Sequence, residues 1–280
     1  MQRLLPGLAA ATGGLLACAA ALGWVVFRRP PVNPRSHRGS SPVVVVAGDS
    51  LVHGTVGTDW VASLRRRPDC RGLDFVNAGR NGDSCTDLLE RIGRDVLDRR
   101  PAAVVVMIGT NDLLGGAGPE RYRERLGAIV DLVRTGSRAR IALASLPPFG
   151  EDPDSPANQR VRAFNVVAAE LARGVGADYL PVHERMAEVL RERGTGAPAF
   201  GYRVGLAFRS AVRHLLLRHS WDGIARGRGL HLLVDHLHLN DRAGAIVADL
   251  VADHLADRLA DHLAGRTAEG SRDALPARRA

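Results

Sequence analysis

Val43-Val44-Val45-Val46-Ala47-Gly48-Asp49-Ser50-Leu51 reads as a buried strand running into a tight turn. Four consecutive β-branched residues make a continuous apolar run, the pattern of a strand covered on both faces, where a strand with one wet face would alternate. Similar runs follow at Leu73 to Val76, Ala103 to Ile108, Ile141 to Leu146 and Ala177 to Val182. Between them, apolar spacing predicts helices over Asp59 to Arg66, Thr86 to Leu97, Pro119 to Val133 and Ala157 to Arg173. This alternation predicts βαβ crossovers and a parallel sheet with helices on both faces. A last helix is expected from the N-cap types Asn240 and Asp241 through Ile246, Leu250, Val251 and Leu255. The stretch from Glu184 to Gly229 has no firm assignment. Its middle, Val204 to Leu217, is apolar and Arg-studded, and reads as an extra packed helix, with a lid over a substrate pocket as the alternative.

Doubly wound sheets gather ligands at the carboxyl ends of their strands. The first expected strand is followed by Gly48-Asp49-Ser50-Leu51 and the second by Asn77-Ala78-Gly79-Arg80-Asn81-Gly82-Asp83-Ser84. The third is followed by Gly109-Thr110-Asn111-Asp112, and far downstream lies Asp235-His236-Leu237-His238-Leu239-Asn240. Taken singly each is weak, since Asp or Asn in any such loop can simply satisfy the backbone of a turn, and Ser50 can simply cap a helix. Together, in this order, the four blocks resemble the SGNH (GDSL-type) hydrolases over roughly Val43 to Leu255. The resemblance implies an α/β fold, a flavodoxin-like three-layer α/β/α sandwich on a central parallel sheet of about five strands. It also implies a serine hydrolase acting on carboxylic esters, without metal or organic cofactor. Ser50 would be the nucleophile, Ser50, Gly82 and Asn111 the oxyanion hole, and Asp235 and His238 the rest of the triad.

Elementary chemistry reaches the same roles. A neutral serine hydroxyl is a poor nucleophile and must pass its proton to a base, for which imidazole is suited by its near-neutral pKa. His238 meets that need. The base needs a partner for its other ring nitrogen, and a carboxylate three residues earlier, Asp235, can reach it on the same loop. The oxyanion that forms needs donors fixed in advance. The backbone N–H groups of Ser50 and Gly82 and the Asn111 amide can supply three, and a glycine at 82 lets the backbone approach the substrate. There is no G-x-S-x-G elbow, which argues against the larger α/β-hydrolase fold.

Neighbouring polar residues have plainer readings. Asp49 and Asp112 are expected to brace loops, Thr110 and Asn77 to be structural, and His53 to sit on a surface helix, with a place near the site, three residues after Ser50, as the alternative. His236 and His238, with His231 or Asp235, imitate a metal site, but no further cluster supports one and none is expected. His236 stands where the family often has a small residue. Cys70 and Cys85 are read as two plain thiols, with a disulfide as the alternative in an oxidising compartment.

The net charge of +8 belongs to the chain ends: residues 1 to 40 hold five Arg and no acid, and the last sixteen hold four Arg against Glu269 and Asp273. Subtracting these +5 and +2 leaves about +1 for the body, so nucleic acid is not an expected partner. Leu4 to Phe27 carries no charge and is about as long as a membrane-crossing helix. Residues 1–29 are therefore read as a membrane anchor or signal segment and 30–42 as a linker. The hydrolase domain would span 43–264 and a disordered tail 265–280. A retained anchor is favoured because Arg28 and Arg29 follow the apolar run. The alternatives are cleavage after Ala19 to Ala21, releasing a secreted protein, and lipid attachment at Cys18. Arg28 and Arg29 argue for a cytoplasmic domain and Arg3 for the opposite side. Within the same scaffold an acyltransferase is the alternative function; outside it, a membrane-tethered binding module with a dead site.

Overall fold

The computed structural model describes residues 23–24, 29–33, 41–194 and 196–255. Most of the apolar N-terminal run, Cys18, residues 34–40 of the linker, residues 256–264 of the expected domain and the tail 265–280 lie outside them, and the expectations for those segments with them. Five strands, β1 (Val43–Gly48), β2 (Asp74–Gly79), β3 (Ala103–Met107), β4 (Arg140–Ala144) and β5 (Asp178–Leu180), form one sheet in the order β2-β1-β3-β4-β5. Every pairing is parallel. The sandwich is the α/β architecture that the strand-helix alternation predicts, and its order reverses between β1 and β3, which is where a doubly wound sheet opens a crevice.

The helices are α1 (Ser50–His53), α2 (Trp60–Leu64), α3 (Cys85–Asp95), α4 (Thr110–Leu114) and α5 (Pro119–Gly136). They continue with α6 (Pro156–Val175), α7 (Val182–Arg193), α8 (Val204–Leu217), α9 (Trp221–Arg226) and α10 (241–255). Val43, Val45 and Ala47 of β1 enter the layer built with α3, α5 and α6, while Val44 and Val46 enter the layer of α2, α7 and α10. Both faces of the strand are thus dry, and each fully buried valine is worth roughly 1.5–3 kcal/mol. Cys70 and Cys85 are buried free thiols that belong to opposite layers, so the sheet itself separates them and the disulfide alternative falls.

Helix starts are fixed by local capping. Asp59 accepts from Ala62 N, Ser155 from Asn158 N, and Ser84 and Asp87 form a capping box that starts α3 at Cys85. At the free edge of the sheet, Asn33 takes the N–H of Asn77 at 2.8 Å and donates to its carbonyl at 2.9 Å, as a neighbouring strand would. Arg65 holds this segment by Val32 O and the Asn33 side chain, which covers an edge otherwise open to pairing. The Glu184–Gly229 stretch resolves into α7, α8 and α9. Helix α8 packs through Ala207 and Ala211 against Val56, as an extra helix should, while Val204 at its start borders the main cleft. No helix among the described residues is long and apolar enough to cross a membrane.

Candidate active site

The nucleophile candidate is presented by a short turn. Strand β1 stops at Gly48, the Asp49 carboxylate accepts Leu51 N at 2.9 Å as a cap, and Ser50 becomes the first residue of α1. The turn lies so close to β2 that a Cβ at Gly79 would run into the backbone of His53. Asn77 ties the two together, donating to Val52 O at 2.8 Å and accepting Gly79 N at 3.0 Å.

From 188 residues away, His238 brings its Nε2 to 3.0 Å from Ser50 Oγ. Its Nδ1 lies 2.8 and 3.1 Å from the two oxygens of Asp235, which sets the tautomer: Nδ1–H donates to the carboxylate and Nε2 is left to accept the serine proton. Asp235 Oδ1 also accepts the N–H groups of Leu237 and His238, at 3.2 and 2.9 Å. That local turn requires a left-handed residue in between, and His236, at φ 73°, supplies it against the preference of a side chain. Burial alone would depress the His238 pKa, but the Asp235 charge and hydrogen bond outweigh it and hold the imidazole above its ordinary 6.5. Burial likewise opposes ionisation of Asp235, yet the pairing with His238 keeps its pKa below 3.8. Asp49, wholly buried behind the turn, is pushed up to about 6 chiefly by desolvation.

The loop bearing Asp235 and His238 is held from below. Glu151 accepts the N–H groups of His231, Leu232 and Leu233 at 2.6 to 2.8 Å and pairs with Arg193. Arg228 reaches Val234 O at 2.6 Å, and Trp221 and Ile224 of α9 pack on Val234.

Gly82 and Asn111 border the same cleft as Ser50 and His238, a cavity of about 990 Å³. Gly82 has φ 84° and nothing within 4 Å of where a Cβ would stand. Its glycine is therefore required by backbone conformation, and the open space beside it belongs to the cleft. Asn111 donates one amide proton to Asp83 O at 2.9 Å, which turns the amide and leaves its second proton free to point elsewhere. Asp112 braces as expected, accepting Cys85 N at 2.8 Å and Arg125 at 3.2 Å.

The GDSL-like lipase/acylhydrolase family profile matches residues 46–246, the stretch that carries all four of these loops. The chain belongs to this family. Esterase TesA of Pseudomonas aeruginosa is 30% identical over 120 residues, covering 40% of this chain and 59% of that protein. An uncharacterized lipoprotein of Bacillus subtilis, YqeF, is 30% identical over 118 residues, covering 37% and 48%. The matches thus span about half to three-fifths of these curated relatives. Among solved structures, Axe2, an acetylxylan esterase from Geobacillus stearothermophilus, superposes with a TM-score of 0.53 at 19% identity, covering 76% of this chain and 93% of that one. At that identity the likeness is one of fold.

In this GDSL-family chain His53 departs from its expected surface position. It is 7% exposed, lines the cleft, donates from Nε2 to Arg29 O at 2.8 Å, and accepts the Thr55 hydroxyl at Nδ1. The segment 29–33, which covers the sheet edge, buries it. Among the described residues no three metal-binding side chains gather, and the His231 ring lies against the Arg242 guanidinium. Three contributors have no place in the strand-end blocks. Tyr202 lies edge-on to the His238 ring with centroids 5.9 Å apart, and no local sequence pattern marks it. Glu151 gave only the signal of an acid just past a strand. Arg91 had a clearer one: it occupies an apolar-stripe position of α3 beside Leu88 and Ile92.

Proposed function

We propose that the protein is a serine hydrolase of carboxylic esters in which Ser50 attacks the acyl carbon and His238 takes its proton. The single observation that carries this reading is the continuous chain of contacts from Ser50 Oγ through the His238 ring to Asp235, opening on a cleft. His238 then returns the proton to the departing alcohol, and water releases the acyl group by the same base. Asp235 stabilises the imidazolium formed in each step. The N–H groups of Ser50 and Gly82 and the amide of Asn111 receive the oxyanion. Val56, Leu114, Tyr202, Val204 and Leu237 give the cleft apolar wall suited to an acyl group. The catalytic domain spans 43–264, and the apolar run before it tethers that domain to a membrane, a reading to which the lipoprotein relative lends support.

A fluorophosphonate probe followed by peptide mapping tests the assignment: labelling is expected at Ser50, with hydrolysis of aryl esters lost in proportion to label. Labelling elsewhere, or full turnover by the labelled protein, refutes it. A panel of aryl esters of graded acyl length then defines the acyl preference.

The site also dictates a pH dependence. His238 works as a base only when neutral, so kcat/KM should fall as the medium is acidified, with its midpoint above 6.5. The negative charge of Asp49 contributes to that elevation. Asp49→Asn, which keeps a capping side chain, should move the midpoint downward, and a profile unmoved by this change would exclude the coupling.

A further inference from the structure

We propose that Arg91 is a positioning residue that holds all three oxyanion donors in register, an inference that rests on the serine-hydrolase reading above. Arg91 is only 4% exposed and projects from a helix face otherwise made of Cys85, Leu88 and Ile92. Its guanidinium donors go to two strand ends and one loop of the site, and one also reaches Asp95 of its own helix. Nη2 donates to Gly48 O at 3.0 Å, at the end of β1 and two residues before Ser50. Nη1 donates to Ala78 O at 2.8 Å, near the end of β2, and to Asp95 at 3.2 Å. Nε donates to the Asp83 carboxylate at 2.6 Å, directly after Gly82. Asp83 is in turn the residue whose carbonyl orients the Asn111 amide.

One planar cation therefore joins the backbone that carries Ser50 N–H, the backbone that carries Gly82 N–H, and, through Asp83, the Asn111 side chain. Only a guanidinium offers enough donors in a rigid fork to satisfy these acceptors at once; an ammonium is a point charge on a flexible stem. A buried ion pair is a poor way to stabilise a fold, because desolvation consumes most of the attraction and apolar side chains of like volume serve as well. Fixing atoms relative to one another is what this arrangement does better. Oxyanion donors must be set before charge develops, and displacing one costs about 10² to 10³ in kcat.

Arg91→Lys is the direct test, read with an aryl acetate and with an arylboronic acid that forms a tetrahedral adduct on Ser50. The expected result is a fall in kcat of about 100-fold with KM within about threefold, and a boronate inhibition constant weakened by a factor similar to the loss in kcat. Asp83→Asn should act in the same direction, and the double variant should lose less than the product of the two single losses, since both break one network. If Arg91→Lys does not fold, Arg91→Met combined with Asp83→Asn, which removes the buried charges together, carries the same expectation. The proposal is overturned if melting temperature falls while kcat and boronate affinity stay put, or if kcat falls with boronate affinity unchanged. Failure of the parent reading is separate: the unsubstituted chain would then take no fluorophosphonate label at Ser50.

Discussion

Ser50→Ala and His238→Ala are each expected to lower kcat for an aryl ester by about 10⁶-fold, and the double substitution by no more than either alone. In the proposed mechanism serine and imidazole act as one device: without the base the hydroxyl is not a nucleophile, and without the hydroxyl the base has nothing to deprotonate. The 3.0 Å contact between them is the physical ground for that non-additivity. Asp235→Asn should cost about 10⁴-fold through a different route. An amide at 235 can present its NH₂ to Nδ1, which would favour the tautomer with the proton on Nε2, facing Ser50 and unable to accept from it. KM should change little in all three, because the apolar wall of Val56, Leu114, Tyr202, Val204 and Leu237 stays in place. Initial rates on purified variants, with fluorophosphonate labelling as the second readout, decide the matter; additive losses in the double variant would mean that the two groups work independently.

The second large effect is on stability. Glu151→Ala is expected to lower the unfolding free energy by about 4 kcal/mol, since it strands two buried N–H groups and a third that is part-buried, at roughly 1–3 kcal/mol each, with partial relief by water. Those are the N–H groups of His231, Leu232 and Leu233, at the start of the loop that ends in His238. Glu151→Gln should cost about half as much, because Oε1 alone accepts from all three and a Gln carbonyl can replace it. Urea unfolding measures both. A Glu151→Ala protein within about 1 kcal/mol of the parent would show that the loop is held by its apolar contacts instead. Turnover should also fall in Glu151→Ala, since the support of the base is lost with the support of the chain.

Much of the architecture was legible because buried parallel strands cannot hide: Val43 to Val46 must be dry on both faces, and they are. Element ends were less so. Strand β2 runs on to Gly79, past the apolar run that marked it, because Asn77 inside the strand is satisfied by α1 and by Asn33, partners from other segments. The start of α3 was offset by one residue, although Ser84 and Asp87 spell the capping box that fixes it. His53 was misplaced because its burial depends on residues 29–33 folding back across the sheet edge, which no periodicity encodes.

The blocks after β1, β2 and β3 and the downstream Asp235–His238 block, taken together as a family resemblance, were enough to nominate Ser50, Gly82, Asn111, Asp235 and His238, with roles that chemistry allows for those residue types. Capping, strand burial and the local Asp235–His238 turn are short-range matters, written within a few neighbouring residues. The supports of the site are not. Glu151 under the base, Arg91 between two strand ends and Tyr202 against the imidazole act across separations of 13 to 82 residues. Hydrogen-bond partners of that kind are selected by position after the chain has packed, and only the tertiary structure could name them.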